Sequence, residues 1–106
     1  MRATLLAALA AMTLLVSATT AEAAVKLRPA KCPVHADASF RITGAKGEYD
    51  GVASEYQWLA RNRPGWRRDE QALIQNGSKR YDLLMISKGR KKQVICFDIT
   101  SFFGKS

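Results

Sequence analysis

The dipeptide Asn76-Gly77 most constrains the fold of this chain, because it predicts a tight β-hairpin. Both central residues of a type I′ turn need positive φ, and Asn-Gly meets that need readily. The turn would join a strand near Asp69–Gln75 to one near Lys79–Ser87. Lys88-Gly89-Arg90 predicts a second reversal into a strand over Lys92–Thr100. The second half therefore predicts a three-stranded antiparallel meander, with the register of the second hairpin left open between a two- and a three-residue loop.

One amphipathic helix is predicted over residues 50–62. Val52, Tyr56 and Leu59 recur at helical spacing. Asp50 is the expected N-cap. Pro64-Gly65 ends the helix, since the residue before a proline is disfavoured in the helical region.

Both faces of the predicted sheet are apolar, so both need cover. In the middle strand Tyr81, Leu83 and Met85 point to one side and Leu84 and Ile86 to the other. In the last strand the two sets are Ile95, Phe97 and Ile99 against Val94 and Cys96. The helix covers one face only, and we expect the N-terminal segment to cover the other.

That segment, residues 24–49, is predicted to be irregular, because prolines and glycines interrupt it throughout. Only Ser39–Thr43 alternates as a strand would, which leaves a short extra strand near Phe40 as an option. Cys32 and Cys96 are the two cysteines, so one disulfide is expected to pin the segment. Its loop of about 65 residues corresponds to roughly 4 kcal/mol in the chain-entropy model.

Residues 1–23 read as a secretory signal peptide. Arg2 gives the positive start, a mostly apolar run follows to Ala18, and Ala21-Glu22-Ala23 fits the cleavage pattern. The run is too short to span a membrane. We therefore expect a periplasmic or secreted protein, where a disulfide persists.

The predicted fold class is α+β, with one helix on a three-stranded antiparallel meander. The expected organisation is a leader over 1–23, then a single domain over 24–106. Within that domain, the pinned segment 24–49 precedes the helix and sheet of 50–106.

The order of elements from Asp50 to Gly104 resembles the PepSY-type module, a small exported domain with a helix on a three-stranded sheet. The stretches that carry the resemblance are Tyr81-Asp82-Leu83-Leu84-Met85-Ile86, the Gly89 turn and Val94-Ile95-Cys96-Phe97-Asp98-Ile99. The ending Phe97–Gly104 also resembles small uncharacterised exported proteins of Gram-negative bacteria. The first resemblance implies a non-catalytic binding or inhibitory module, and it carries over no catalytic residue.

The net charge of +8 favours anionic partners. This charge is concentrated in a basic and aromatic patch. In such a patch guanidinium groups bind phosphate or carboxylate, and indole rings stack on the ligand. The patch comprises Trp58, Arg61, Arg63, Trp66, Arg67 and Arg68. The alternative interpretation makes both tryptophans core residues. A second basic run, Lys88–Lys92, is most simply a solvated hairpin tip.

Few residues suggest catalysis or metal binding. His35 is the single histidine and is expected in an exposed loop. Glu55 is expected on the helix away from the apolar stripe. Asp82 and Asp98 are flanked by apolar residues, and they are expected to lie near each other or near Arg80. A buried carboxylate is a functional candidate, although a salt bridge at a strand edge is the commoner explanation.

The leading hypothesis is a non-catalytic exported binding module for anionic polysaccharide, a lipid surface or an acidic protein. It includes no specific nucleic acid, no cofactor and no metal. One alternative is a small basic secreted nuclease or hydrolase that uses His35. Another is an inhibitor of a secreted enzyme. Phe102-Phe103 is expected to close the edge of the core rather than to project as an anchor.

Overall fold

The computed structural model of the chain describes residues 24–106, so the predicted leader over 1–23 lies outside the described residues. It contains one helix and five strands. In chain order they are β1 Lys26–Pro29, β2 Ala38–Thr43, α1 Glu48–Asn62, β3 Arg67–Asn76, β4 Lys79–Lys88 and β5 Lys91–Asp98.

The prediction of a three-stranded antiparallel meander is wrong, because the strands form one five-stranded mixed sheet in the order β1-β2-β5-β4-β3. β2 pairs with β5 in parallel, with Phe40 beside Phe97, and the other neighbours are antiparallel. β2 and β3 therefore run in the same direction, and α1 provides the crossover between them. No local turn signal predicts the β2–β5 pairing, and the four-residue β1 ends in Pro29.

Both tight hairpins are present, with a shift in the first turn. Asn76 lies opposite Lys79, so the central turn residues are Gly77-Ser78, one position later than predicted. Gly77 adopts a positive φ of 64°, which glycine tolerates without steric cost. In the second hairpin Lys88 lies opposite Lys91. Its two-residue loop fixes the register that the sequence left open.

The start of α1 is capped by the C-terminal tail rather than by Asp50. The N-cap is Gly47, which makes no side-chain cap hydrogen bond. The Glu48 N–H donates to the Lys105 carbonyl (2.9 Å), and the Glu48 carboxylate accepts from the Gly104 N–H (2.7 Å). The tail thus supplies an acceptor to one helix N–H that a side-chain cap would otherwise satisfy.

The main core lies between α1 and one face of the sheet. Its buried residues are Ile42, Leu59, Leu84, Ile86, Ile95, Phe97, Ile99 and Phe102. Phe102 closes the edge of this core as expected, and it packs against the helix at Gly51, where a methyl group would overlap its ring. Phe103 is 39% exposed, with the Arg80 guanidinium 5.4 Å from its ring centre.

The opposite face is covered by the loop between β1 and β2. The Cys32–Cys96 disulfide is present, which confirms the predicted bridge. Cys32 and Ala36 pack there against Tyr81 and Leu83. The remainder of the N-terminal segment joins the sheet as β1 and β2, so only the loop covers this face.

Candidate anion-binding surface and buried carboxyl pair

The two basic runs of the sequence meet at one end of the molecule. The C-terminal end of α1, the start of β3 and the β4–β5 turn all lie there, since Arg67 is opposite Ser87 and Ser87 is opposite Lys92. The Lys88 ammonium lies 3.5 Å from where a side chain at Gly65 would begin. We call this surface the basic pole. It comprises Arg61, Arg63, Arg67, Arg68, Lys88, Arg90, Lys91 and Lys92.

Two arginines of the basic pole are held in place by aromatic rings. The Arg68 guanidinium lies 3.9 Å from the ring centre of Tyr56. Arg63 lies 5.0 Å from the Trp58 ring, and its Nε donates to the Gln93 side chain (2.7 Å). A guanidinium fixed before binding loses less conformational entropy when it grips an anion. These two side chains are therefore pre-organised.

Arg67 is partly neutralised by its neighbour. Its Nε donates to Asp69 at 2.8 Å. A hydrogen bond from Ser87 first, then the Arg67 bond and the charge of Lys92, lower the pKa of Asp69. Asp69 stays ionised within the basic pole, so Arg67 and Asp69 together add no net charge to it, and the Arg67 Nε already has an acceptor.

Most of the predicted patch is divided between two grooves, and Arg67 lines a third groove with Arg68 and Asp69. A groove of about 470 Å³ runs between the end of α1 and β3, and its lining includes Arg63, Trp66 and Arg68. Arg61 lines a separate groove beside Trp58 and Leu27. The structure thus brings the hairpin tip to the patch and places Arg61 and Arg68 in different grooves of the basic pole.

Both tryptophans pack against the main core. The Trp58 ring centre lies 4.9 Å from that of Phe40 and 6.1 Å from that of Phe97. Each indole also lines one of the two grooves. Their packing matches the core interpretation, and their groove edges remain available to a ligand.

The most unusual chemistry is a buried carboxyl pair that the sequence reasoning missed. Glu55 is fully buried and Asp82 nearly so. Burial, followed by a hydrogen bond with Asp82 and that residue's like charge, raises the pKa of Glu55 to about 10. The Glu55 oxygens have no partner as acceptors among the described residues. A proton on Glu55, donated to Asp82, satisfies the pair.

The placement of Glu55 away from the apolar stripe was wrong, and its spacing shows why. Glu55 follows Val52 by three positions and precedes Leu59 by four, which is the spacing of one helix face. Asp82 shares its face of β4 with Leu84. Asp82 also reaches a groove of about 190 Å³ between α1 and β3, lined in part by Leu73 and Phe103.

Asp98 lies on the other face of the sheet from Asp82, so the first of the two expected alternatives, that these carboxylates lie near each other, is wrong. Asp82 is opposite Phe97, one position away from Asp98, and successive residues face opposite sides. Burial favours the neutral form of Asp98. The Thr100 hydrogen bonds and the charges of Lys79 and Arg41 outweigh it and lower the pKa. The ion pairs measure 3.5 Å to Arg41 and 3.7 Å to Lys79.

His35 is exposed in the loop on the disulfide face. The structure separates it from the Glu55–Asp82 pair, which lies between α1 and the opposite face of the sheet. Within residues 24–106 no group of three or more His, Cys, Asp or Glu is placed to hold a metal ion. The same part of the chain contains no helix that is long and apolar enough to cross a membrane.

No protein-family model, no curated protein and no solved structure matches this chain. The resemblance to the PepSY-type module therefore stays a prediction, and any function must be argued from the residues themselves.

Proposed function

We propose that the chain is a non-catalytic binding module of the periplasm or the extracellular space. Its basic pole binds an anionic component of the cell envelope, either polysaccharide or lipid. The observation that carries the proposal is the convergence of two basic runs, separated in sequence, at one end of the fold. Clustered positive charge attracts a polyanion more strongly than the same charge dispersed.

An extended polyanion fits this surface better than a small ligand does. The cationic groups are spread over the helix end, the start of β3 and an exposed turn, and the larger groove is open. Each exposed charge contributes little alone, but a polymer or lipid surface engages many and releases its counterions. The pre-organised Arg63 and Arg68 would contact it beside Trp66. An acidic protein partner is the alternative occupant.

Export into an oxidising compartment is part of the proposal. Its support is the Cys32–Cys96 disulfide, since such bonds persist mainly outside the cytoplasm, together with the leader pattern of residues 1–23.

The decisive experiment compares two triple variants that lose the same charge. The pole variant carries Lys88→Gln, Arg90→Gln and Lys91→Gln, and the control carries Lys26→Gln, Arg28→Gln and Lys31→Gln. All six side chains are exposed. We expect the pole variant to elute from heparin, and to leave phosphatidylglycerol vesicles, at clearly lower salt than the control, because screening weakens exposed charges.

Equal losses in the two variants would show that only net charge matters and would contradict the proposal. Absence of retention by the wild-type protein at low salt would end it. Single substitutions then rank the contribution of each patch arginine to binding, and the positions are Arg61, Arg63, Arg67 and Arg68. We expect Arg68→Gln to weaken binding more than Arg67→Gln, since the Tyr56 ring pre-organises Arg68 whereas the Arg67 Nε already donates to Asp69.

A further inference from the structure

The two edges of the sheet are protected to different degrees. β1 is short and carries Lys26, Arg28 and Pro29, which are typical devices against strand addition. β3 is ten residues long, and a bulge between Arg68 and Glu70 together with charged side chains blocks its first half. Its second half, Gln71–Asn76, carries no charge and no proline. This stretch is an open edge.

The register identifies the backbone groups that this edge presents. A two-residue loop makes Asn76 and Lys79 a hydrogen-bonded pair. Bonded pairs alternate along an antiparallel ladder, so the N–H and C=O groups of Gln71, Leu73 and Gln75 point away from β4. The same three residues place their side chains on the helix side of the sheet, as Gln71 is opposite the core residue Leu84.

We propose that this edge pairs with the same edge of a second copy of the chain, in antiparallel register centred on Leu73. The segment Gln71-Ala72-Leu73-Ile74-Gln75 is complementary to itself when reversed. Leu73 meets the partner's Leu73, and Gln71 meets the partner's Gln75. Ala72 meets the partner's Ile74 on the other face. Each outward-facing backbone group then finds a bonding partner.

Charge and exposure favour a second copy over other occupants. Two chains of charge +8 repel each other, and the uncharged half of β3 lets them approach without a close pair of like charges. A polyanion finds no cation on this stretch. Leu73 is 53% exposed and lies beside the half-exposed Phe103 in one groove, so pairing removes apolar surface from water.

The two-fold arrangement also keeps the basic poles apart. Arg67 and Arg68 lie at the start of β3, away from its uncharged half. In antiparallel pairing the starts of the two strands point in opposite directions, so the poles lie at opposite ends of one continuous sheet. The inference does not rest on the proposed function of those poles.

Sedimentation equilibrium tests the proposal on protein purified after export in a bacterial host. We expect the wild-type mass to rise from monomer to dimer with concentration. Leu73→Lys should raise the dimer dissociation constant about tenfold or more, because like charges would face each other across the two-fold axis. Val34→Lys is the matched control, since Val34 is 40% exposed and lies on the loop between β1 and β2. It should associate as the wild type does.

A cysteine variant tests the register without a charge. Both native cysteines are bonded to each other, so Leu73→Cys introduces a single free thiol near the proposed axis. Mild oxidation or a short bis-maleimide should give covalent dimer several-fold faster than it does with Val34→Cys. A wild-type protein that stays monomeric up to about 1 mM, or equal cross-linking of the two cysteine variants, would overturn the proposal.

Discussion

Glu55 lies at the centre of the helix–sheet interface, with its carboxyl group buried against Asp82. An isolated ionised carboxylate in that position would be strongly destabilising. The proton retained on Glu55 removes one charge, and the Glu55 O–H donates a hydrogen bond to Asp82. The protein therefore accommodates this polar pair in its core by keeping one of the two carboxyl groups neutral.

We expect Glu55→Gln to remove a pH dependence of stability. The folded state keeps the Glu55 proton to about pH 10, whereas the ordinary carboxyl value is 4.5. Between those values the folded state binds more protons than the unfolded state, so the Glu55 carboxyl makes the free energy of unfolding fall as the pH rises, by about 1 kcal/mol per pH unit. Denaturant unfolding should show the variant gaining on the wild type from pH 5 towards pH 9.

The amide introduced by Glu55→Gln would donate to Asp82 as the protonated acid does, so packing is kept. Glu70→Gln, at an exposed position, serves as the control and should leave the slope unchanged. Parallel pH curves for Glu55→Gln and the wild type would contradict a retained proton.

Gly51 is required by close packing rather than by backbone conformation. The Phe102 ring occupies the space where a side chain would begin. We expect Gly51→Ala to lower the free energy of unfolding by about 1–3 kcal/mol through overpacking, although alanine is normally the better helix residue. Thermal or denaturant unfolding measures the change.

Ala60 provides the comparison, since it is exposed on the same helix. Ala60→Gly should destabilise by about 1 kcal/mol from helix propensity alone. Combining Gly51→Ala with Phe102→Leu should cost less than the sum of the two single changes, because the smaller side chain relieves the overlap. Strict additivity would show that the two residues do not interact.

At the level of elements, the loop of residues 30–37 connects the disulfide to the sheet. The Asp37 N–H donates to the Val94 carbonyl (2.8 Å), and the Asp37 carboxylate accepts from the Val94 N–H (2.8 Å). Cys32 pins the same loop over Tyr81 and Leu83. The loop is therefore held on this face of the sheet by the Cys32–Cys96 disulfide and by the Asp37–Val94 hydrogen bonds.

Replacing both cysteines by alanine should cost about 3–4 kcal/mol of stability, by loop entropy in the unfolded chain. The loop should also open locally, which amide hydrogen exchange would detect as lost protection at Asp37 and Val94. Amides within the β3–β4 ladder should keep more of their protection when the variant and the wild type are compared at equal free energy of unfolding. Uniform loss across the sheet would contradict local opening.

For the molecule as a whole, the fold separates two surfaces with different properties. The basic pole gathers the helix end and the β4–β5 turn, whereas the uncharged half of β3 forms an open edge. A dimer through that edge would present two basic poles. Polyanion retention should then depend more steeply on protein concentration for the wild type than for Leu73→Lys, because two linked sites bind with avidity.

Heparin retention over a range of protein loading checks this expectation. Val34→Lys is the control, since it adds the same charge away from the edge. Identical concentration dependence in Leu73→Lys and Val34→Lys would show that the two surfaces act independently.

Local patterns in the chain were enough to predict the features that depend on a few neighbouring residues. Gly77 and Gly89 define the two tight turns, since their positive φ is a local property. The spacing of Val52, Tyr56 and Leu59 predicts α1 because helical periodicity repeats within a few turns. The disulfide followed from having two cysteines and one pairing.

Which distant segments meet became clear only from the folded chain. Whether β2 pairs with β5, or Glu55 with Asp82, depends on which faces and edges remain uncovered once the local elements exist. The basic pole needs only the two hairpins, which place the start of β3 beside the β4–β5 turn, whereas the β2–β5 and Glu55–Asp82 contacts follow from no turn. Such pairings combine small contributions from many residues far apart in the chain, so no short pattern encodes them.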